Sequence, residues 1–215
     1  MLFRSKISAL LALQPNDKRC LLRKGRLELY NEEIQYDGSH LFKADKLFPN
    51  DSEVKQFLAR YYRSKKEFEK ALKEINSSIS LDADKPESYK WKIRILLESG
   101  DSTSALECFS KIIELDKNNP KNYEYRANYF IEKGDFANAI MDLNKAIELK
   151  PSEANFYEIR ANFLIQQKEN TNALKDLDKT IELSPTAYYY SNRADFYKDN
   201  LNDNEKAIRL QAFQF

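Results

Sequence analysis

Arginine occupies positions 26, 60 and 94, each 34 residues after the one before. A guanidinium is a planar fork of donors that grips a carboxylate through paired hydrogen bonds, so a row of them on one wall would suit an acidic peptide. Other chemistry is thin. The single histidine, His40, has no cysteine nearby and no ordered Ser or Asp partners of the kind a nucleophile requires. Neither G-x-G-x-x-G nor G-x-x-x-x-G-K-[ST] occurs, so a nucleotide would find no phosphate cradle. Cys20 and Cys108 stand 88 residues apart without a C-x-x-C partner, which supports neither a zinc site nor a disulfide framework. Reduced thiols of a cytoplasmic protein are the simplest account. Asp199, Asp203 and Glu205 read as solvated loop. The expectation is a protein with no cofactor, no metal and no catalytic function.

The elements that must position such a row are helices. The chain has 215 residues, 42% of them hydrophobic, with only four glycines and six prolines to supply hairpin turns or phosphate loops. Thirty-five basic residues face 34 acidic ones for a net charge of +1, so no global field draws the protein to nucleic acid or an anionic membrane. Arg4 and Lys6 precede a short apolar run, Ile7 to Leu13, that superficially resembles a secretion signal; Gln14-Pro15-Asn16-Asp17 makes a poor cleavage site. No apolar run approaches the ~20 residues that span a bilayer. Thirteen Tyr and thirteen Phe invite a base-stacking reading, yet most fall on the repeat columns described next and so belong to the core.

Alanine stands at 71, 105, 139, 173 and 207, always 34 residues apart. Isoleucine at 79, 113, 147 and 181 keeps that step, as does leucine at 13, 47, 81, 115, 149 and 183, and proline at 15, 49, 151 and 185 shares one phase. A period held by several columns marks stacked units, each too small to bury its own apolar face.

Tyr123-x-x-Arg126-Ala127-x-x-Phe130, Gly134-Asp135-Phe136, Ala139-Ile140-x-Asp142-Leu143 and Ala146-Ile147-x-Leu149-x-Pro151 together resemble the tetratricopeptide repeat. The next unit repeats the pattern at Tyr157, Arg160, Ala161, Leu164, Ala173, Leu177, Ile181, Leu183 and Pro185. The resemblance covers the whole chain and is strongest from 86 to 185. It implies an all-α fold, a right-handed α-solenoid of stacked antiparallel helix pairs in 34-residue repeats, about 13 helices in all. Residues 1–215 then form a single solenoid, with a half repeat at 1–17, repeats at 18–51, 52–85, 86–119, 120–153 and 154–187, and a degenerate unit at 188–215. Small residues belong where helix axes approach: Gly25, Ala59, Ala127 and Ala161 on the first helices, the 34-spaced alanines on the second. Phe68, Phe136, Ile79 and Ile147 pack between helices, and the proline after each second helix sets the turn.

Departures carry their own expectations. Ile93 stands where neighbouring repeats have Ala, and Ile112 in the column of Ala44 and Ala146, so that pair should cross further apart or shift register. Asp37 in an alanine column suggests a frayed or displaced second helix. Arg193-Ala194 follows Arg160-Ala161 by 33 residues while Ala207 is back in phase, so one residue is lost before the last first-helix and one gained in the loop near 199–204. Arg126 and Arg160 each precede an aspartate, Asp142 and Asp176, by sixteen residues; a charge locked to the repeat pairs with its partner, and these two are left out of the site.

The family resemblance also implies a concave groove lined by first helices, in which a peptide or partner protein lies. Its groove columns are Arg26, Arg60, Arg94, Asn128 and Asn162, with Arg19, Arg63 and Lys90 from neighbouring columns. The N-terminal half of the groove is basic, while Glu124, Glu158 and Asp195 leave the C-terminal half neutral to acidic. An acidic segment over residues 19–94 is the expected ligand; a merely solvated basic face is the alternative. The family's carboxylate clamp, which grips chaperone C-terminal tails, is matched only at Asn162 and Asn192. Glu158 stands where its lysine belongs, so a co-chaperone function through an incomplete clamp is the second expectation. Nucleic acid and membrane are not expected partners. Both ends look open, without a polar capping unit, as expected either of an excerpt from a longer array or of an uncapped end covered by self-association or a partner.

Overall fold

The computed structural model describes residues 14–29 and 37–212. The apolar stretch from 7 to 13, most of the half repeat at 1–17, and the last three residues lie outside them. The described residues form twelve helices, with no strand among them. The chain divides into two compact units, Met1–Leu115 and Asp116–Phe215. Unit 1 contains α1 (Lys18–Leu29), α2 (Ser39–Leu47), α3 (Ser52–Ser64), α4 (Phe68–Leu81), α5 (Pro86–Ser99) and α6 (Ser102–Leu115). Unit 2 contains α7 (Pro120–Glu132), α8 (Phe136–Leu149), α9 (Ala154–Gln166), α10 (Asn170–Leu183), α11 (Ala187–Leu201) and α12 (Asn204–Ala212).

Within each unit, consecutive helices pack as hairpins and each hairpin leans on the next. In unit 1, α3 packs against α4 and also against α1 and α5; in unit 2, α8 packs on both α7 and α9, and α10 on both α9 and α11. The small-residue column makes this stacking possible. Ala71, Ala105, Ala139 and Ala173 are fully buried and Ala207 is 4% exposed, and Ala59, Ala127 and Ala161 opposite them are fully buried too. A methyl is the largest group that lets neighbouring backbones approach so closely. Larger side chains fill the flanking space: Ala59, Ala71, Ile75, Trp91 and Ile95 form one cluster in unit 1, and Ala161, Leu164, Ala173, Leu177 and Phe196 form another in unit 2.

Ile93 and Ile112 are buried as well. Their helices begin at Pro86 and Ser102, each 34 residues after its counterpart in the preceding repeat, so the bulkier side chains are accommodated without a change of register. In the first repeat the second helix is shortened at its start, while its end at Leu47 and its buried Leu41 and Ala44 keep the period of Leu81, Ile75 and Ser78. One period before Phe68 lies position 34, yet the described second helix starts at Ser39, after Gly38 in the left-handed conformation (φ 79°). A Cβ there would also sit 2.8 Å from the ring of Phe42 and 3.0 Å from that of Tyr61, so those side chains would have to move.

A second 34-residue column emerges at the turns. Lys66, Gly100, Gly134, Lys168 and Asn202 all have positive φ. After the first four, the next amide donates to the carbonyl five residues back: Glu67 to Tyr62, Asp101 to Leu96, Asp135 to Phe130 and Glu169 to Leu164. This is the bond that closes a helix through a left-handed residue. In the last repeat Asp203 reaches back six residues, to Tyr197. The expected extra residue is therefore not in a lengthened loop: α11 runs for 15 residues and absorbs it as a widened final turn.

Candidate functional site

In unit 1 the first helices bring most of the expected cations into two neighbourhoods. Gln56, Arg60 and Arg63 share one stripe of α3, and Lys90 and Arg94 share one on α5, because residues three and four apart lie on the same helix face. Between them stands Trp91, the chain's only tryptophan. The guanidinium carbons of Arg60, Arg94 and Arg63 lie 4.3, 4.7 and 5.3 Å from the centroid of its ring. Arg60 also covers Phe57 at 4.6 Å, and is itself 9% exposed. The expected middle rung of an open ladder, Arg60, is thus buried against two aromatic rings, and Arg94 is the exposed member.

Three cations about one ring are an electrostatic conflict. No two of them can be further apart than about 10 Å, where like-charge repulsion costs on the order of 1 kcal/mol at an effective dielectric of 20–40. Stacking on an aromatic face returns a similar amount per cation. Arg63 has a carboxylate, Glu98 at 2.6 Å; this pair joins successive repeats rather than lying within one. Two buried donors face no acceptor, Nε2 of Gln56 and Nε of Arg63. Lys90 turns toward Glu87 at 3.9 Å, a distance of weak attraction.

Arg19 and Arg26 belong to a second place. They line a cleft of about 380 Å3 between α1 and α3, together with Lys18, Leu22, Arg23, Glu53 and Phe57. Lys18 is 2.7 Å from Asp51 and 3.5 Å from Glu53. Asp51 caps α3, accepting from the amides of Glu53 and Val54; burial pushes its carboxyl up, but the bonds from Lys18 and those amides prevail and hold it below the usual range.

Unit 2 has a different wall. Asn128 and Asn162 are exposed on α7 and α9. Glu158 is 8% exposed and accepts hydrogen bonds from Tyr188 at 2.7 Å and from the side-chain amide of Asn192 at 3.2 Å. A carboxylate of the protein itself thus holds the amide that an incoming carboxylate would need, which weighs against the clamp. Glu124 is engaged likewise by Lys121 and Asn155. Arg126 and Arg160 grip Asp142 and Asp176 through two nitrogens each, at 2.7–2.8 Å, and a further nitrogen of Arg160 donates to Asn144. They tie first helix to second, as charges locked to the repeat should.

Trp91, Phe57 and Arg23 were not singled out by sequence reasoning. Their signal lies in the repeat: Arg23, Phe57 and Trp91 are spaced by 34 and each precedes by three residues the arginines at 26, 60 and 94. Large aromatics in a repeat column read as core, and only the neighbouring guanidiniums distinguish these. His40 lies on α2, away from both groups of cations in sequence, and the described residues contain no cluster of His, Cys, Asp or Glu able to hold a metal ion. None of the described helices is long and apolar enough to cross a membrane.

Profiles of the tetratricopeptide repeat match residues 126–188, 52–85 and 94–119, together more than half of the chain. No curated protein sequence matches. Among solved structures, the chain is similar to yeast Tom70, with a TM-score of 0.70 and 18% identity over 95% of this chain and 44% of that one. It is similar to MamA residues 41–end from Desulfovibrio magneticus RS-1, with a TM-score of 0.60 and 15% identity over 76% of this chain and 92% of the other. It is also similar to YrrB, described as a TPR protein with an unusual peptide-binding site, with a TM-score of 0.56 and 20% identity over 80% and 92%. At such identities the likeness concerns the fold.

Proposed function

Because the chain belongs to the tetratricopeptide repeat family of protein-interaction scaffolds, we propose that its first unit holds an acidic segment of a partner protein against the Trp91 wall. The observation that carries this reading is the gathering of Arg60, Arg63 and Arg94 about one indole. A carboxylate entering there meets Arg94, the exposed member, beside the Glu98-paired Arg63 and the buried Arg60. Arg60, buried against Trp91 and Phe57, loses little side-chain entropy on binding.

The sole tryptophan makes the test direct. Titration with an oligoglutamate peptide should change Trp91 fluorescence saturably, and Arg94→Glu should weaken binding about tenfold or more, equivalent to ~1.4 kcal/mol. Equal binding of oligolysine, or an affinity indifferent to Arg94→Glu, would overturn the proposal.

A further inference from the structure

The cleft between α1 and α3 differs in kind from the Trp91 wall. Arg19, Arg23 and Arg26 follow one another at intervals of four and three on α1, which places them on one face, and all three line the same cleft. The acid in that lining, Glu53, lies beside Lys18, as does Asp51 beneath it. Those two carboxylates and Lys18 therefore satisfy one another. No ion pair within 4 Å engages Arg19, Arg23 or Arg26 among the described residues, although Asp17 lies close enough to feel the charge of Arg19, and the three guanidinium groups line one concave space.

We propose that this cleft is a docking pocket for a phosphorylated side chain of a partner peptide. The inference rests on the reading that a peptide lies against unit 1, and adds a second anchoring point with its own chemistry. A single carboxylate is matched by one fork, whereas a phosphate monoester offers three oxygens and nearly two charges at neutral pH. At about 380 Å3 the space is at the small end of ligand sites, suited to one side chain rather than a large cofactor. Leu22 and Phe57 form an apolar floor, 4% and 8% exposed, for the carbon atoms that carry the phosphate. A nucleic-acid strand is a poorer fit, because it needs open ring faces on which bases stack, and the Phe57 face is already covered by Arg60.

Sequence marks the place. Arg23 stands in the column where the following repeats have Phe57 and Trp91, so the first repeat replaces an aromatic ring by a third guanidinium at the position that defines the cleft.

The test uses the full chain and three fluorescein-labelled random peptide libraries that differ at a fixed central residue: phosphoserine, serine or glutamate. Anisotropy should show the phosphoserine library binding about tenfold or more tighter than the serine library, as expected of one or more charge-assisted hydrogen bonds, with glutamate between them. Inorganic phosphate should compete. Arg23→Gln with Arg26→Gln should abolish the preference while leaving the oligoglutamate response of Trp91 in place. Arg23→Lys with Arg26→Lys, which keeps the charge and loses the fork, should reduce it. The proposal falls if the three libraries bind alike or if either double variant retains the full preference. It falls equally if oligouridylate, or vesicles of equal parts phosphatidylserine and phosphatidylcholine, bind more tightly than the phosphoserine library. Failure of the Trp91 response alone would instead count against the acidic-segment site.

Discussion

Arg160 is held by two helices at once, through Asp176 on α10 and Asn144 on α8. The aspartate is 8% exposed at its side chain and the arginine 22%, so the pair is shielded on one side and wet on the other. Breaking a buried pair costs about 3–5 kcal/mol because one charge is left without compensation, and partial exposure of the arginine lowers that here. Asp176→Ala is expected to destabilise the protein by about 2–3 kcal/mol, measured as a shift of the urea midpoint. Arg160→Met combined with Asp176→Leu should cost less than Asp176→Ala alone, since no charge is then stranded. Both partners were visible in the sequence as a spacing of sixteen, recurring in two repeats, because a charge that must meet its partner inside every unit keeps its phase.

Helix ends set the strength of the individual hairpins. Lys66 and Lys168 occupy the left-handed column that Gly100 and Gly134 fill elsewhere, and a side chain in that conformation costs about 1–2 kcal/mol. Nothing lies within 4 Å of where a Cβ would stand at Gly100 or Gly134, so glycine serves the backbone there and not the packing. Lys168→Gly should stabilise the chain by about 0.5–1 kcal/mol, after the greater freedom of glycine in the unfolded chain is subtracted. Gly134→Ala should destabilise it by a similar amount. Thermal melting followed by circular dichroism checks both, and equal melting temperatures for Lys168→Gly and the parent would contradict the account. At the start of the second helices an acidic column shares the period: Asp101, Asp135 and Asp203 cap the amides of Ser104, Asn138 and Lys206, while Glu67 and Glu169 stand there without a side-chain cap. One methylene separates a carboxylate that caps from one that does not.

Over the whole molecule, residues 1–115 carry a small basic excess and residues 116–215 a small acidic one, so the near-neutral net charge conceals two units of different character. Association with an acidic peptide through unit 1 should weaken as salt rises past the physiological range, where the screening length falls below about 8 Å. It should also be level between pH 6 and pH 9, because arginine does not titrate there and the chain's one histidine, His40, lies on α2 outside both groups of cations. Below about pH 4 the peptide carboxylates gain protons and binding should be lost. Calorimetry across salt and pH reads both; a step near pH 6.5 would show a titrating group at work and contradict this assignment.

The repeat, its small-residue column and the Arg–Asp pairs were determined by the sequence, because each must satisfy the same local geometry every 34 residues and so leaves a periodic trace. The late start of the second helix in the first repeat was legible in the same way, as a broken column at Asp37. Only the tertiary structure decided what the arginines do. Arg60, Arg94 and Arg26 are equivalent by period, yet one is buried against Phe57 and Trp91, one is exposed beside the indole, and one faces a cleft with Arg19 and Arg23. Those differences arise from which aromatic or acidic side chains neighbouring helices bring alongside, and a period along one chain records a position without recording its neighbours.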